Sequence, residues 1–375
     1  MDPKRIVLSE YLGEGSYSTI FRGTVSSSRA IVAVKKSRVS LWVKRPGLQH
    51  EARILHILQG HRAIPRLIGY YRGLHFEYIA MELLGDTIKN QVREDRGLPN
   101  MTVVRVGLQL LSALAFLLDI GVVHRDIKPA NILLCPGDRS KICLIDFGLS
   151  SLLGLEVPGV RTQRTRKSPI VGTLDWCSIN VHAGRYPLGP SDDFESVVYV
   201  LLFLLGGSLP WRIRARNSRP EPEYLALSRT YESKKAFDTT DVDSTVGELL
   251  GNILTCARAL DPADRPKYSE TALRLEAAVG TAIQTSDPLD WTPCEVPPIL
   301  KRRLEAAPPS RLPDASCTTP GADTGSDDSD GSSIYSDSNS GLNEQAWSPN
   351  YDRDASLTFP EAQAKLCDGE VTLLC

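Results

Sequence analysis

The strongest constraint on the fold is a change in the hydrophobic pattern at about residue 85. Before it, short runs rich in β-branched residues at 5–8, 20–25 and 30–35 alternate with turns containing glycine and serine, which is typical of β-strands. Residues 48–60 have apolar positions at helical spacing, and 64–81 contain two further strand-like runs. The first part of the chain is therefore predicted to be a twisted antiparallel sheet that carries one helix.

From residue 101 onward the pattern is helical. Apolar segments with helical periodicity cover 101–120, 193–205, 246–260 and 269–283. A small β-rich lobe followed by a larger helical lobe is an α+β arrangement. We predict an N-terminal lobe at 1–85 and a C-terminal lobe at 86–295.

Residues 296–375 have a different composition, because proline recurs early in this segment and 326–340 is nearly all Ser, Asp, Gly and Asn. Such a segment buries too little apolar surface to offset its chain entropy, so we predict a disordered tail. Residues 301–375 carry a net charge of −7 and residues 1–300 carry +5, which gives −2 for the chain. This asymmetry suggests an acidic substrate or attraction between tail and body, with solvated charge as an equal alternative.

The spacing of the cysteines and the lengths of the apolar runs indicate the cellular compartment. Eight cysteines, from Cys135 to Cys375, include no C-x-x-C pair, so reduced cytosolic thiols are expected. No apolar signal run opens the chain, and the longest uninterrupted apolar run, 197–205, is too short to span a bilayer. We expect a cytoplasmic or nuclear protein, or one found in both places, with no stable membrane insertion and no nucleic-acid partner.

The residues that carry chemistry are concentrated in H-R-D-x-K-x-x-N at 124–131 and in D-F-G at 146–148. This pair of motifs resembles the catalytic and metal-binding loops of protein kinases. The resemblance implies that Asp126 orients the attacking hydroxyl and that Lys128 neutralises charge on the migrating phosphoryl group. Asn131 and Asp146 offer the hard oxygen ligands that Mg²⁺ prefers. A carboxylate such as Asp146, after a buried strand, is costly unless it binds a cation.

A phosphate cradle is predicted at the start of the β-rich lobe, where glycines let backbone N–H groups approach phosphate oxygens. Ser18 stands where a third glycine is usual, and a plain hairpin turn would explain the same residues. The predicted cradle residues are Leu12, Gly13, Glu14, Gly15, Ser16, Tyr17, Ser18 and Ile20.

Lys35 is the predicted phosphate-binding cation. Strand alternation places Ala33 and Lys35 on one face, which suits an adenine pocket with an ammonium beside it. Glu51, on the inward edge of the predicted helix, can pair with Lys35. Taken singly, a solvated strand-end lysine and an exposed helical glutamate are the default interpretations.

Further motifs narrow the resemblance. Residues 171–180, V-G-T-L-D-W-C-S-I-N, place Ser-Ile-Asn where most protein kinases have Ala-Pro-Glu. This substitution, the segments 191–196 and 207–211, and Asp290-Trp291 resemble the casein kinase I family of serine/threonine protein kinases. The similarity covers about 6–291. It implies a two-lobed enzyme that uses ATP and Mg²⁺ to phosphorylate serine or threonine in proteins.

The same resemblance assigns further roles. It implies that Met81 lies behind the adenine and that Glu82, Leu83 and Leu84 form the hinge that binds it. It also implies that Asp193 anchors the catalytic loop. Thr173 is expected to contact Asp126 and Lys128.

Several residues depart from the family pattern. Asp175 replaces an arginine of the site for phosphorylated substrates, and an aspartate there repels phosphate. The basic residues Arg161, Arg164, Arg166 and Lys167 could supply positive charge instead, or could be a solvated loop. Asn180 replaces the glutamate that Arg265 usually pairs with, so the partner of Arg265 is left open.

Protein substrates with acidic Ser/Thr segments are expected, and the tail contains such sites. Autophosphorylation of its serines is a hypothesis, with a plain disordered tail as the alternative; these serines are Ser326, Ser329, Ser332, Ser333, Ser336 and Ser338. Two alternative functions are a pseudokinase scaffold and a kinase of small molecules. The complete set of catalytic residues argues against the first, and the activation segment, the glycine loop and Lys128 argue against the second.

Overall fold

The fold has the predicted α+β architecture, in which a β-rich lobe is followed by a helical one. The computed structural model describes residues 5–15, 18–39, 46–93, 96–153, 171–212, 222–237, 245–280, 288–295, 362–367 and 370–374.

Among the described residues of the first part of the chain, five antiparallel strands and one helix form the N-terminal lobe. They are β1 (Arg5–Gly15), β2 (Ser18–Val25), β3 (Ile31–Arg38), α1 (Gly47–Ile57), β4 (Leu67–Arg72) and β5 (Phe76–Glu82). Strand β3 lies between β2 and β5, so Val34 pairs with Phe21 on one side and with Ala80 on the other. Val32 and Val34 pack into an apolar cluster on one face of the sheet. Strand alternation leaves Ala33 and Lys35 on the opposite face.

In the described residues, the C-terminal lobe contains seven α-helices and four short strands. The helices are α2 (Ile88–Gln91), α3 (Asn100–Ile120), α4 (Ile179–Ala183), α5 (Pro190–Gly206), α6 (Glu223–Ala236), α7 (Thr245–Ala259) and α8 (Tyr268–Val279). The strands are β6 (Val122–Val123), β7 (Ile132–Cys135), β8 (Asp138–Leu144) and β9 (Ser151–Leu152). β7 pairs with β8 and β6 with β9. These pairs frame the loop at 124–131 and the residues around 146.

The centre of this lobe is formed by α3 and α5. Every residue of α5 is buried, which explains its nearly continuous apolar sequence. α3 ends at Gly121, whose φ of 83° suits glycine and turns the chain toward β6. In the described part of the chain, α3 alone is long and apolar enough to cross a membrane. Because 67% of its apolar window is buried among the other helices, α3 fits the description of a core helix.

Two short strands lie at the far end of the segment 296–375, for which the sequence predicts a disordered tail. β10 (Ala362–Cys367) and β11 (Glu370–Leu374) form a hairpin that joins the N-terminal sheet. β11 pairs antiparallel with β1 through Arg5 and Ile6, and β10 pairs parallel with β4, so the sheet closes into a barrel. Composition could not reveal this pairing, because open sheet edges add strands through backbone groups that any sequence supplies. Residues 296–361, with the predicted phosphorylation sites, lie outside the described residues.

Candidate active site

Lys35 joins two distant parts of the chain. Its Nζ lies 2.8 Å from Glu51 Oε2 on α1 and 2.8 Å from Asp146 Oδ1, which follows β8. The predicted ion pair between Lys35 and Glu51 is therefore present, and Asp146 joins it. Asp146 has a φ of 66°, a left-handed conformation that turns the backbone sharply after the strand.

Lys35, Asp146 and Glu51 shift one another's pKa values. Burial alone would lower the pKa of Lys35, but the two carboxylates outweigh it and raise that pKa. Burial acts to raise the pKa of Asp146, yet the Lys35 ammonium reverses the shift and holds the pKa below its ordinary value. Asp146 is therefore ionised at neutral pH. For Glu51, burial prevails over Lys35 and the pKa is raised.

Asp126 lies at the centre of a second network. Its Oδ2 accepts hydrogen bonds from Lys128 Nζ at 2.6 Å and from Asn131 Nδ2 at 3.2 Å. Its Oδ1 accepts from Thr173 Oγ1 at 2.7 Å, and Lys128 also donates to Thr173 at 2.7 Å. The predicted contacts of Thr173 are thus all present. Since three donors surround a carboxylate that can accept about four bonds, room for one further hydroxyl donor remains.

Asp193 of α5 fixes the backbone of the loop at 124–131. Asp193 accepts hydrogen bonds from the N–H of His124 at 2.5 Å and of Arg125 at 2.8 Å. His124 Nδ1 accepts from the Asp126 N–H, and Nε2 donates to the carbonyl of Ile145. These partners require the neutral imidazole, and burial correspondingly lowers the pKa of His124. The prediction that His124 is a satisfied hydrogen-bonding residue agrees with this geometry.

Asp193 makes stability depend on pH. Burial raises its pKa to about 7 in the folded protein from an ordinary 3.8, although both backbone bonds oppose the shift. The folded state therefore holds a proton that the unfolded state has lost, and the free energy of unfolding falls as the pH rises from 4 to 7. Between pH 5 and 6, wild type is expected to lose about 1 kcal/mol more than Asp193→Asn in urea unfolding. Equal losses in both proteins would contradict this prediction.

The predicted cradle lies beside Lys35. β1 ends at Gly15 and β2 begins at Ser18, and Ile20 pairs both with Gly13 and with Lys35. A cavity of about 390 Å³ adjoins this turn, but it is lined by Lys36 from the other face of β3 and not by Lys35. Its lining residues are Glu14, Gly15, Ser18, Thr19, Phe21, Lys36, Ser37, Arg38 and Phe76. Leu12 is partly exposed on β1, whereas Ser16 and Tyr17 lie outside the described residues.

The predicted hinge connects the lobes. Glu82 ends β5, and the Gly85 N–H donates to the carbonyl of Leu134 at 2.8 Å. Within the described part of the chain, the N–H groups of Leu83 and Leu84 make no hydrogen bond to another backbone group. Met81, the residue before Glu82, pairs with Ala33 of β3 across the sheet. This pairing places Ala33 and the hinge at the same end of the cleft between the two lobes.

Residues 171–180 lie against the catalytic loop. Gly172 has a φ of 88°, and a Cβ there would lie 2.5 Å from the carbonyl oxygen of Arg125, so only glycine fits. Ser178 caps α4 by accepting from the Val181 N–H and donates to Asp192 at 2.5 Å. Asn180 donates to the same carboxylate at 3.1 Å. Asn180 therefore bonds to the start of α5.

Arg265 has its ion-pair partner on α3. Arg265 pairs with Asp119 at 3.3 Å on the surface, where both side chains are mostly exposed. The buried pair is instead Glu195 on α5 with Arg258 on α7, at 3.2 Å. Glu195 also accepts from the N–H of Ile179. This pair thus holds the segment that carries Thr173.

Lys234 is a second anchor of that segment. Fully buried on α6, it donates to the carbonyls of Leu174 at 3.0 Å and Cys177 at 2.6 Å and contacts His182 Nε2 at 3.2 Å. Sequence reasoning missed Lys234, since the neighbouring Lys235 is exposed and nothing in the sequence separates the two. It also missed Glu195, although its spacing of four from Tyr199, to which it is hydrogen-bonded, was a usable signal.

Removing Arg258 should be costly. Arg258→Met leaves the Glu195 carboxylate buried without its cation, so we expect a loss of about 3–5 kcal/mol in the free energy of unfolding. The double variant, with Arg258→Met and Glu195→Gln together, should lose less free energy of unfolding than the two single variants added, because it contains no unpaired buried charge. Arg265→Met is the matched control and should cost below about 1 kcal/mol. Urea unfolding measures all four variants, and equal losses in Arg258→Met and Arg265→Met would contradict the assignment.

Asp175 does not face solvent as an unpaired charge. Its Oδ2 lies 3.1 Å from Arg212 Nε, and its carbonyl accepts from Trp211 Nε1 at 2.8 Å. The Arg212 guanidinium also lies 5.0 Å above the ring of Trp176. This cation is therefore engaged by the protein itself. The basic residues 161–167 lie outside the described residues.

The oxygen donors fit a magnesium ion. Asn131 donates its Nδ2 to Asp126, which leaves its Oδ1 for another partner, and Asp146 is ionised. Among the described residues, no group of three or more His, Cys, Asp or Glu side chains could hold a metal ion. Two protein oxygens are enough for Mg²⁺, which completes its shell with water and substrate phosphates.

Comparison with known proteins agrees with this architecture. The family model of the protein kinase domain matches residues 6–274. The chain is 29% identical over 286 residues to a probable serine/threonine-protein kinase of Dictyostelium discoideum, which covers 75% of this chain and 55% of that protein. It is also 29% identical to a casein kinase I homolog of Kluyveromyces lactis, covering 70% and 48%, and to casein kinase I homolog 2 of Saccharomyces cerevisiae, covering 76% and 52%. The chain thus spans about half the length of these relatives.

Proposed function

Because this chain belongs to the protein kinase domain family, we propose that it transfers the γ-phosphoryl group of ATP to serine or threonine in proteins, as a casein kinase I-like enzyme. The observation that supports this most is the bonding of Lys35 to both Glu51 and Asp146 at 2.8 Å. It joins the β-rich lobe, its helix and the metal-binding loop into one site. A kinase requires this arrangement for phosphoryl transfer.

Each residue has a role in the proposed reaction. Bound Mg²⁺ would neutralise phosphate charge, with Asn131 and Asp146 as its protein ligands. Lys35 binds phosphate oxygens, and the Leu83 and Leu84 backbone groups bind the adenine. These are the ATP-binding roles.

Asp126 acts on the acceptor. The substrate hydroxyl donates to the remaining lone pair of Asp126, which orients its oxygen and takes its proton. Lys128 lies 2.6 Å from that carboxylate and stabilises negative charge that develops nearby. Thr173 holds both side chains in place through its hydroxyl.

The substrate is proposed to be an unphosphorylated protein segment. Arg212, whose guanidinium pairs with Asp175, is thereby engaged and is not free to bind a substrate phosphate. Acidic segments remain candidates because residues 1–300 carry a net charge of +5. The cytoplasmic or nuclear location and the tail autophosphorylation stay predictions.

One assay tests the proposed function. Purified protein is incubated with γ-labelled ATP, Mg²⁺ and casein, with Asp126→Asn and a chelator as negative references. Label is expected in casein with the wild type alone. Transfer that persists in Asp126→Asn would overturn the role of Asp126. Nucleotide binding without any transfer from the wild type would favour a pseudokinase scaffold, and transfer only to small hydroxyl compounds would favour a small-molecule kinase.

A further inference from the structure

Two thiols meet on the hairpin that links the catalytic residues. Cys135 ends β7 and Cys143 lies in β8, and their sulfur atoms are 3.3 Å apart. β7 begins directly after Asn131, and β8 leads to Asp146. Among the described cysteines, these two alone are in contact with each other. The pair has no part in the proposed reaction.

The two thiols have different environments. Cys135 is partly exposed, whereas Cys143 is buried and its sulfur lies 3.5 Å from the carbonyl oxygen of Arg62. The contact with Cys143 lowers the pKa of Cys135. The same contact, together with burial, raises the pKa of Cys143 above its ordinary range. Cys135 is thus the nucleophile that meets an oxidant, and Cys143 is a protonated partner behind it.

We propose that Cys135 and Cys143 form a modification site for hydroperoxides, at which the dithiol is oxidised to a disulfide. A disulfide requires a sulfur–sulfur distance of about 2.0 Å, so the atoms approach by about 1.3 Å from their contact distance. The product closes a small ring within one hairpin.

The chemistry balances in two steps. The Cys135 thiolate attacks one oxygen of hydrogen peroxide, the O–O bond breaks, and the leaving hydroxide takes a proton to become water. The sulfur of Cys143 then attacks the sulfur of the Cys135 sulfenic acid, the S–O bond breaks, and the thiol proton leaves with hydroxide as a second water. The dithiol loses two electrons and the peroxide gains them. A thiol reductant reverses the change.

Closure should affect the neighbouring site. Leu134, between Asn131 and Cys135, accepts from the N–H of Gly85 and donates to the carbonyl of Asp86. Movement of the end of β7 toward β8 therefore strains the two hydrogen bonds that connect Leu134 with Gly85 and Asp86, next to the hinge. This consequence rests on the proposed function, whereas formation of the disulfide does not.

Peptide mapping tests the site itself. The reduced full-length chain is titrated with hydrogen peroxide, free thiols are alkylated, and peptides are analysed without reduction. A linked pair of peptides with a loss of two hydrogens, restored by dithiothreitol, is expected. In Cys143→Ser, Cys135 should remain as a sulfenic acid that dimedone captures. In Cys135→Ser, Cys143 should stay reduced at the same dose.

Exposed Cys256 is the internal control, because its exposure is high and no second thiol contacts it in the described structure. Oxidation of Cys256 at doses that leave Cys135 and Cys143 reduced would overturn the proposal. So would the absence of a dimedone adduct on Cys135 in Cys143→Ser.

The casein assay then compares reduced and oxidised protein. Oxidation should lower transfer on the order of tenfold, reversibly, in wild type but not in Cys135→Ser. Unchanged transfer after complete disulfide formation would overturn the effect on the hinge. No transfer even from reduced wild type would count against the proposed function and leave the mapping result intact.

Discussion

Replacing Asp126 by asparagine is expected to lower kcat about 10²–10⁴-fold, the range for loss of a general base. The amide has the shape of the carboxylate but cannot accept the proton of the substrate hydroxyl. Its NH₂ group would stand either at the Oδ2 position, where Lys128 and Asn131 both donate, or at the Oδ1 position, where Thr173 donates, so at least one hydrogen bond of the network is lost or reversed. KM for ATP should change little, because the predicted nucleotide contacts come from other residues.

Steady-state kinetics with casein and varied ATP measures both constants. Asp119→Asn, a change at a mostly exposed carboxylate on the far end of α3, is the matched control and should behave as wild type. A kcat for Asp126→Asn within about threefold of the wild type would contradict the role of a general base.

Lys35→Met should reduce both activity and stability. Glu51 is 1% exposed, and without Lys35 its carboxylate has lost its nearest cation. We expect the free energy of unfolding to fall by about 3 kcal/mol, as when one partner of a buried ion pair is removed. Because Lys35 is also the proposed phosphate ligand, kcat/KM for ATP should fall on the order of 10²–10³-fold.

The adjacent Lys36 provides the control. Its ammonium lies 4.2 Å from the ring centroid of Phe76, on the other face of the strand, so Lys36→Met should cost about 1 kcal/mol or less. Urea unfolding and ATP kinetics of the two variants make the comparison. Equal effects of the two substitutions would show that general charge, and not the contact with Glu51 and Asp146, explains the loss.

The sequence predicted what is local and periodic. Long helices such as α3 and α5 follow from their apolar spacing, and the order of Lys35, Glu51, Asp126 and Asp146 along the chain indicated one shared site. The structure places these residues in two networks, one around Lys35 and one around Asp126. Their catalytic roles remain predictions that the experiments above test.

Interactions between distant segments were not predictable. Nothing in the sequence marks Lys234 as buried, because its burial depends on carbonyl groups of Leu174 and Cys177, which any residue type would supply. Glu195 and Arg258 are 63 positions apart. The contact between Cys135 and Cys143 depends on a shift of register in their hairpin, which composition does not encode.

The strands contributed by β10 and β11 have a consequence for synthesis of the chain. β1 and β4 obtain their outer partners from a hairpin that begins at Ala362, 280 positions after the end of β5 at Glu82. At about 5–20 residues per second, a ribosome needs on the order of tens of seconds to make that interval. During this time both edges of the N-terminal sheet are open to pairing with other chains. The N-terminal sheet is therefore expected to acquire its two outer strands only after the helical lobe has been synthesised.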